Sequence, residues 1–115
     1  MRTHTFASDN YAGVHPEILE ALAAANVGHE IAYGDDRYTA RLHEVMAEHF
    51  GDGIEVYPVF NGTGANVTAL QSMLPPWGAV ICSSHSHIHT DEGAAPERVA
   101  GLKLLPVIAP DGKLT

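Results

Sequence analysis

The order of secondary structure is set by residues 54–83, whose sequence is IEVYPVFNGTGANVTALQSMLPPWGAVICS. Residues 54–60 are rich in β-branched and aromatic side chains and predict a strand, in which Pro58 favours an edge position. A glycine-containing turn follows, then a helix over about residues 65–74 and a short apolar strand over 79–83. This order predicts a parallel β-α-β unit and therefore an α/β fold.

The segments on either side extend this prediction. Apolar residues recur on one helical face over about residues 16–25 and 39–50, and residues 102–107 predict a further strand. We expect an N-terminal arm and helices over 1–50 and the start of an α/β domain over 51–115. A parallel sheet that is buried on both faces needs more covering layers than this chain supplies, so the sequence is expected to be a truncated part of a larger fold.

Composition excludes several classes of protein. Fourteen acidic residues against six basic ones give a net charge of −8, which argues against nucleic acid and against a polybasic membrane contact. The first six residues form no apolar signal core, and no apolar run approaches the roughly 20 residues that a membrane span requires. Cys82 is the only cysteine, so no intrachain disulfide is possible. We expect a cytoplasmic protein with neither a nucleic-acid nor a membrane partner.

The turn NGTGAN, residues 61–66, is the first motif that carries chemistry. A strand that runs into a glycine-containing turn and a helix presents free backbone N–H groups, which bind anions such as phosphate. Thr63 adds a hydroxyl donor, and Gly62 and Gly64 allow close approach of the backbone. The motif is neither a dinucleotide fingerprint nor a P-loop, because the P-loop lysine is missing. A plain turn with an Asn or Thr cap remains the alternative.

The second motif, SHSHIHTDE at residues 84–92, follows the strand predicted over 79–83 and should lie at the same edge of the sheet as the glycine turn. Its histidines could bind a metal ion, or one imidazole could stack on a planar ring. A polar loop with incidental histidines is the third possibility. The candidate metal ligands are His85, His87, His89 and Asp91.

Several blocks of the sequence resemble, in the right order, the opening of low-specificity L-threonine aldolases. Together the blocks cover essentially the whole chain. They are SDNYAGVHP at 8–16, AYGDD at 32–36, FNGTGAN at 60–66, HIHTDEGAAPE at 87–97, GLKLL at 101–105 and DGKLT at 111–115.

The resemblance implies a fold-type-I enzyme that depends on pyridoxal 5'-phosphate (PLP) and is built as a homotetramer, a dimer of dimers. Such enzymes are lyases of amino-acid metabolism that cleave β-hydroxy-α-amino acids, for example L-threonine or L-allo-threonine to glycine and acetaldehyde. PLP carries a phosphate and a flat pyridine ring, and the two motifs offer an anion site and a ring platform for them.

The resemblance also implies roles for individual residues around the cofactor. Asn61, Gly62 and Thr63 match the turn that binds the cofactor phosphate, and Asn61 stands where relatives often have serine. His87 matches the histidine that stacks on the pyridine ring, and it is the candidate for assisting proton transfer. Glu92 matches an acidic residue close to the site.

Two residues of the N-terminal half match positions near the substrate. Ser8 matches a serine that approaches the substrate carboxylate, and Tyr33 matches a tyrosine contributed near the neighbouring subunit's site.

Lys103 and Lys113 are the only lysines, and neither matches the lysine to which the cofactor is attached. We therefore expect this chain alone not to turn over threonine.

Two alternatives stay open at the level of sequence. The first is a metal-dependent hydrolase that uses His85, His87, His89 and Asp91. The second is a binding or assembly fragment that keeps the phosphate turn without catalysis.

Overall fold

A computed structural model of the chain describes residues 7–114, which divide into two compact units. The N-terminal unit is Met1–Val56 and the C-terminal unit is Tyr57–Thr115. The first residues of the predicted N-terminal arm, 1–6, lie outside the described residues.

In its described residues, 7–56, the N-terminal unit has a 3-10 turn over Asp9–Tyr11 and two helices. Helix α1 covers Pro16–Ala25, as predicted, with proline at its first position. Helix α2 covers Arg37–Phe50 and begins two residues before the predicted start. The earlier start follows from Asp36, whose side chain caps the helix.

The C-terminal unit holds the sheet. Strands β1 and β2 are parallel neighbours, paired from Ala79 opposite Lys103 to Ser83 opposite Val107. Two short helices lie between them in the chain, so the connection is a crossover, as parallel strands require. In chain order the elements are α3 Gly62–Met73, β1 Ala79–Ser83, α4 His87–Thr90, α5 Ala95–Val99 and β2 Lys103–Val107.

The strand predicted over residues 54–60 is wrong, because this stretch has no regular secondary structure. Its β-branched and aromatic side chains favour a strand only where a neighbouring strand completes the ladder, and in the described residues the sheet consists of β1 and β2. In the described residues the strand–helix–strand order is instead realised over 79–107. The helix predicted over 65–74 starts earlier, at Gly62.

A small apolar core joins α3 to the crossover. Val67 of α3 is buried against Ala100 and Leu102, which lie between α5 and β2. Full burial of a valine side chain contributes about 1.5–3 kcal/mol, so Val67 is a main anchor of α3. Partly buried neighbours complete the cluster, namely Leu70, Leu74, Val80 and Ala95.

A tight turn sets the start of β1. The amide of Gly78 donates to the carbonyl oxygen of Pro75 over 2.7 Å. A Cβ atom at position 78 would lie 2.9 Å from that same oxygen, closer than such contacts occur, so the turn requires glycine. The carbonyl of Gly78 then accepts from the amide of Lys103, which opens the ladder with β2.

Apolar side chains also remain at the surface of each unit. On one face of the sheet Ile81, Leu105 and Val107 are exposed, and Ile81 lies opposite Leu105 in the register. In the N-terminal unit Ile18 and Leu22 of α1 are exposed as well. Within the part of the chain that the structure describes, no helix is both long enough and apolar enough to cross a membrane.

The cap of α2 generates a prediction about pH. The hydroxyl of Thr39 donates to Oδ2 of Asp36 over 2.7 Å and its amide donates to Oδ1 over 2.8 Å, and these bonds lower the pKa of the Asp36 carboxyl. A carboxyl whose pKa is lowered on folding stabilises the helix above its unfolded pKa, and this stabilisation is lost as pH falls through the lowered value. Helix α2 should therefore fray in acid.

Amide chemical shifts followed during an acid titration check this expectation. The Thr39 amide should shift with a midpoint below that of an aspartate in an unfolded peptide. Asp36→Asn keeps a capping side chain without a titrating group and should remove the shift, whereas Asp36→Ala should fray the helix at every pH. A Thr39 amide that moves equally in Asp36→Asn would contradict the assignment.

Candidate functional site

The first turn of α3 offers donors for an anion. Asn61 caps the helix, because its Oδ1 accepts from the amide of Gly64 over 2.9 Å. Its backbone carbonyl accepts from the amide of Ala65 over 3.0 Å. The amides of Gly62 and Thr63 precede these bonds, and the first N–H groups of a helix point out of its end. This end of α3, residues 61–64, is named the phosphate turn below.

The space in front of the phosphate turn is open. A Cβ atom built on Gly62 would meet nothing within 4 Å, and Gly62 is exposed. Thr63 is half-buried beside it, with its hydroxyl available from the same turn. The helix dipole adds a partial positive charge at this end, so an anion can approach the amides without displacing protein atoms.

A second group of polar side chains meets on one carboxylate. Oε1 of Glu92 accepts a hydrogen bond from Nδ2 of Asn66 over 2.7 Å. The same oxygen lies 2.9 Å from Nδ1 of His87. Asn66 belongs to α3 and His87 opens α4, so Glu92 ties the two helices together. We call these three side chains the carboxylate network.

The members of the carboxylate network differ sharply in exposure. The side chain of Glu92 is 0% exposed, whereas that of His87 is 66% exposed. Oε2 of Glu92 is buried and has no hydrogen-bond partner among the described residues. His87 thus has one ring nitrogen held from inside the protein, and most of its imidazole is open to solvent.

The carboxylate network lies close to the phosphate turn along α3. Asn66 follows Thr63 by three residues, which corresponds to about 4.5 Å along a helix axis at about 1.5 Å per residue. Because Asn66 and His87 share one oxygen of Glu92, the imidazole is held beside the first turns of α3. The structure therefore joins His87 and Glu92 to Asn66 of α3. The first turn of the same helix carries the other three predicted residues, Gly62 and Thr63 with the cap Asn61. Their contact with a cofactor stays a prediction.

Ser8 and Tyr33 lie in the N-terminal unit, where each occupies a local turn. Oγ of Ser8 accepts from the amide of Asn10 over 3.2 Å. Tyr33 is fully exposed and has a φ of 66°, a left-handed conformation that is uncommon for a residue other than glycine. The predicted roles of both residues near a substrate stay predictions.

The metal-hydrolase alternative is not supported. Residues 87–90 form a helical turn, in which residues two apart point about 200° away from one another, so His87 and His89 do not face one ion. Nδ1 of His87 is occupied by Glu92, and Nδ1 of His85 lies 3.3 Å from the Ser84 hydroxyl. Within residues 7–114 no group of three or more potential ligands is placed to hold a metal ion.

Sequence reasoning missed Asn66 as a site residue. The motif that contains Asn66 predicts an anion-binding turn and assigns no role to Asn66, and the contact of Asn66 with Glu92 spans 26 positions along the chain. The available signal was its place in α3. Asn66 lies four residues before Leu70, and residues four apart lie on the same face of a helix. Because Leu70 packs on the core, the amide of Asn66 is well placed to meet a buried partner.

Comparison with known proteins shows the fold and the family of the chain. A family model described as beta-eliminating lyase matches residues 5–115. The solved structure of a threonine aldolase from Leishmania major is similar with a TM-score of 0.78 and 35% identity, over 90% of this chain and 30% of that one. The chain therefore has the fold of the fold-type-I PLP-dependent enzymes, in agreement with the α/β prediction.

Sequence relatives narrow the assignment. A low-specificity L-threonine aldolase from Pseudomonas aeruginosa is 48% identical over 114 residues, which are 98% of this chain and 33% of that protein. One from Saccharomyces cerevisiae is 29% identical over 107 residues. This chain belongs to the beta-eliminating lyase family, and its resemblance to threonine aldolases is confirmed. It spans about a third of the length of the curated relatives it matches.

The cap of α3 generates a prediction about stability. Asn61→Ala removes the acceptor for the Gly64 amide and should lower the free energy of unfolding by about 1 kcal/mol, the usual cost of losing a helix cap. Asn61→Ser should retain most of the stability, since serine caps about as well as asparagine. Urea denaturation of both variants, followed by circular dichroism, measures the difference. Equal stability of Asn61→Ala and Asn61→Ser would contradict the capping role.

Proposed function

We propose that this chain supplies the part of a threonine aldolase that binds the phosphate and one ring face of PLP. The observation that carries the proposal is the shared Glu92 oxygen, which holds the His87 imidazole beside the phosphate turn. The similarity to L-threonine aldolases supports the same assignment. β-Hydroxy-α-amino acids are then the proposed substrates.

The phosphate turn fits the anionic end of PLP. A phosphate ester needs several donors that converge without a competing side chain. The Gly62 and Thr63 amides and the Thr63 hydroxyl provide such donors, and the absence of a Cβ at Gly62 leaves the approach open. Charge-assisted hydrogen bonds of this kind are stronger than neutral ones, so a dianionic phosphate is the preferred ligand.

The His87 imidazole fits the flat end of PLP. Its ring is largely exposed while Nδ1 is held by Glu92, so it can present a face to a planar heteroaromatic ring. A ring that is fixed in advance loses less conformational freedom when a ligand stacks on it. The phosphate turn and this ring lie in the same unit, and they can contact two ends of one molecule.

The proposed chemistry divides between the cofactor and the chain. Bound PLP supplies an electron sink for the charge that develops when a carbon–carbon bond next to an amino group breaks. In this chain His87 has only Nε2 left to take or return a proton, because Nδ1 contacts Glu92. By resemblance alone, we propose that Ser8 approaches the substrate carboxylate and that Tyr33 contributes near the neighbouring subunit's site. Turnover of threonine is proposed only for protein that also carries a lysine for the cofactor.

We also propose a cytoplasmic location and assembly as a dimer of dimers. The location is the expectation stated from composition and the N-terminal residues in the sequence analysis. The exposed apolar residues of α1, Ile18 and Leu22, support assembly, since such residues are often buried in homo-oligomer interfaces.

Binding of PLP by Thr63 variants tests the proposal. Thr63→Val keeps the side-chain shape and loses the hydroxyl donor, so it should weaken PLP binding about tenfold, the effect of one hydrogen bond to a charged group. Thr63→Ser should bind almost as well as the wild type. Absorbance titration of the purified chain at constant salt measures both affinities.

The matched control is Thr68→Val on the same helix. The hydroxyl of Thr68 donates to the carbonyl of Gly64 over 2.6 Å and is not offered to a ligand. Its loss should leave the affinity for PLP unchanged. Equal affinities of wild type and Thr63→Val, or an equal loss in Thr68→Val, would overturn the assignment of the phosphate turn.

A further inference from the structure

We propose that Glu92 and Asn66 are positioning residues that hold the His87 imidazole as the Nδ1–H tautomer and leave Nε2 as its only free ring nitrogen. This inference deepens the proposed function and rests on it. In the proposed function, the two residues fix the plane of the His87 ring and the ring nitrogen that carries the proton beside the bound cofactor. The arrangement of the three side chains can be tested without the cofactor.

The direction of the hydrogen bonds follows from the chemistry of a carboxylate. An ionised carboxylate accepts hydrogen bonds and donates none, so Nδ1 of His87 must carry the proton that faces Oε1 of Glu92. For the same reason Asn66 must present its amide nitrogen, and not its oxygen, to Oε1. A neutral imidazole has a single N–H, so Nε2 is then an acceptor.

Asn66 adds orientation that Glu92 alone would lack. Both contacts use Oε1, and the bond from Asn66 is the shorter of the two, at 2.7 Å against 2.9 Å. Because Asn66 belongs to α3, its amide fixes the carboxylate relative to the helix that carries the phosphate turn. The ring of His87 is therefore positioned with respect to that turn and not merely to its own loop.

Two energetically unfavourable features lie at or near Glu92, and packing alone requires neither of them. Oε2 of Glu92 is fully buried and has no hydrogen-bond partner among the described residues, which is unfavourable for a carboxylate. Two residues further on, Ala94 has a φ of 60°, a left-handed conformation in which its Cβ is strained. An orphaned buried acceptor next to backbone strain is characteristic of functional sites.

Nuclear magnetic resonance of the nitrogen-15-labelled 115-residue chain, without cofactor, tests the inference. Long-range proton–nitrogen spectra distinguish protonated from unprotonated ring nitrogens. They are recorded about two pH units above the ordinary pKa of histidine, where free imidazoles are neutral.

His87 should show a protonated Nδ1 and an unprotonated Nε2. The exposed His89 should show averaged tautomers and serves as the internal reference. A His87 spectrum averaged like that of His89, or one with the proton on Nε2, would overturn the proposal.

Three variants separate positioning from a general structural role. Asn66→Ala and Glu92→Leu should each shift His87 towards averaged tautomers. Glu92→Gln should keep Nδ1 protonated, because one amide oxygen can still accept both bonds. Glu97→Leu changes an exposed glutamate on α5 and should leave His87 unchanged. Loss of the Nδ1–H tautomer in Glu97→Leu would contradict the assignment, and so would its survival in both Asn66→Ala and Glu92→Leu. If a variant does not fold, the wild-type spectrum decides the case.

Failure of this inference can be told apart from failure of the proposed function. A fixed tautomer in a chain that does not bind PLP would overturn the proposed function and leave the positioning of His87 standing. Averaged tautomers in a chain that does bind PLP would overturn the positioning role alone.

Discussion

One oxygen of Glu92 receives both Asn66 and His87, and the arrangement of the site depends on this contact. The Glu92 side chain is completely buried, so the loss of these hydrogen bonds would leave a buried polar group without partners. The contact joins α3, whose first turn is the proposed anion site, to a segment that carries a mostly exposed imidazole. A short loop is thereby given a defined position relative to α3.

The rest of the C-terminal unit supports that contact. Val67 follows Asn66 directly and is buried against Ala100 and Leu102, which fixes the rotation of α3 about its axis. The parallel pairing of β1 with β2 fixes where residues 84–92 leave the sheet, and the Ser84 amide donates to the carbonyl of Val107 over 2.9 Å. Packing and ladder hydrogen bonds thus bring the two partners of Glu92 within reach of it.

Local signals in the sequence predicted most of the elements. Apolar periodicity predicted α1 and α2, and short apolar runs next to turn residues predicted β1 and β2. The same signal failed over residues 54–60, because a strand exists only with a partner and propensity does not say whether one is present. The start of α3 at Gly62 was also missed, since the capping geometry of Asn61 and not the apolar pattern defines it.

The site was predicted in part. The phosphate turn followed from its motif, and His87 and Glu92 followed from the resemblance. The contact between Asn66 and Glu92 spans 26 residues and depends on how α3 packs, which no local pattern encodes. Strain at Ala94 and the burial of Oε2 likewise belong to the tertiary structure.

The central claim is that the phosphate turn and the His87 ring contact one phosphorylated, flat molecule. The most direct measurement is a titration of the labelled chain with PLP and, separately, with inorganic phosphate, followed on the Gly62 and Thr63 amides and on the His87 ring. PLP should shift both groups with one dissociation constant, whereas phosphate should shift the amides and leave the ring unchanged. If PLP shifts only one of the two groups, or shifts them with different dissociation constants, they do not form a single site.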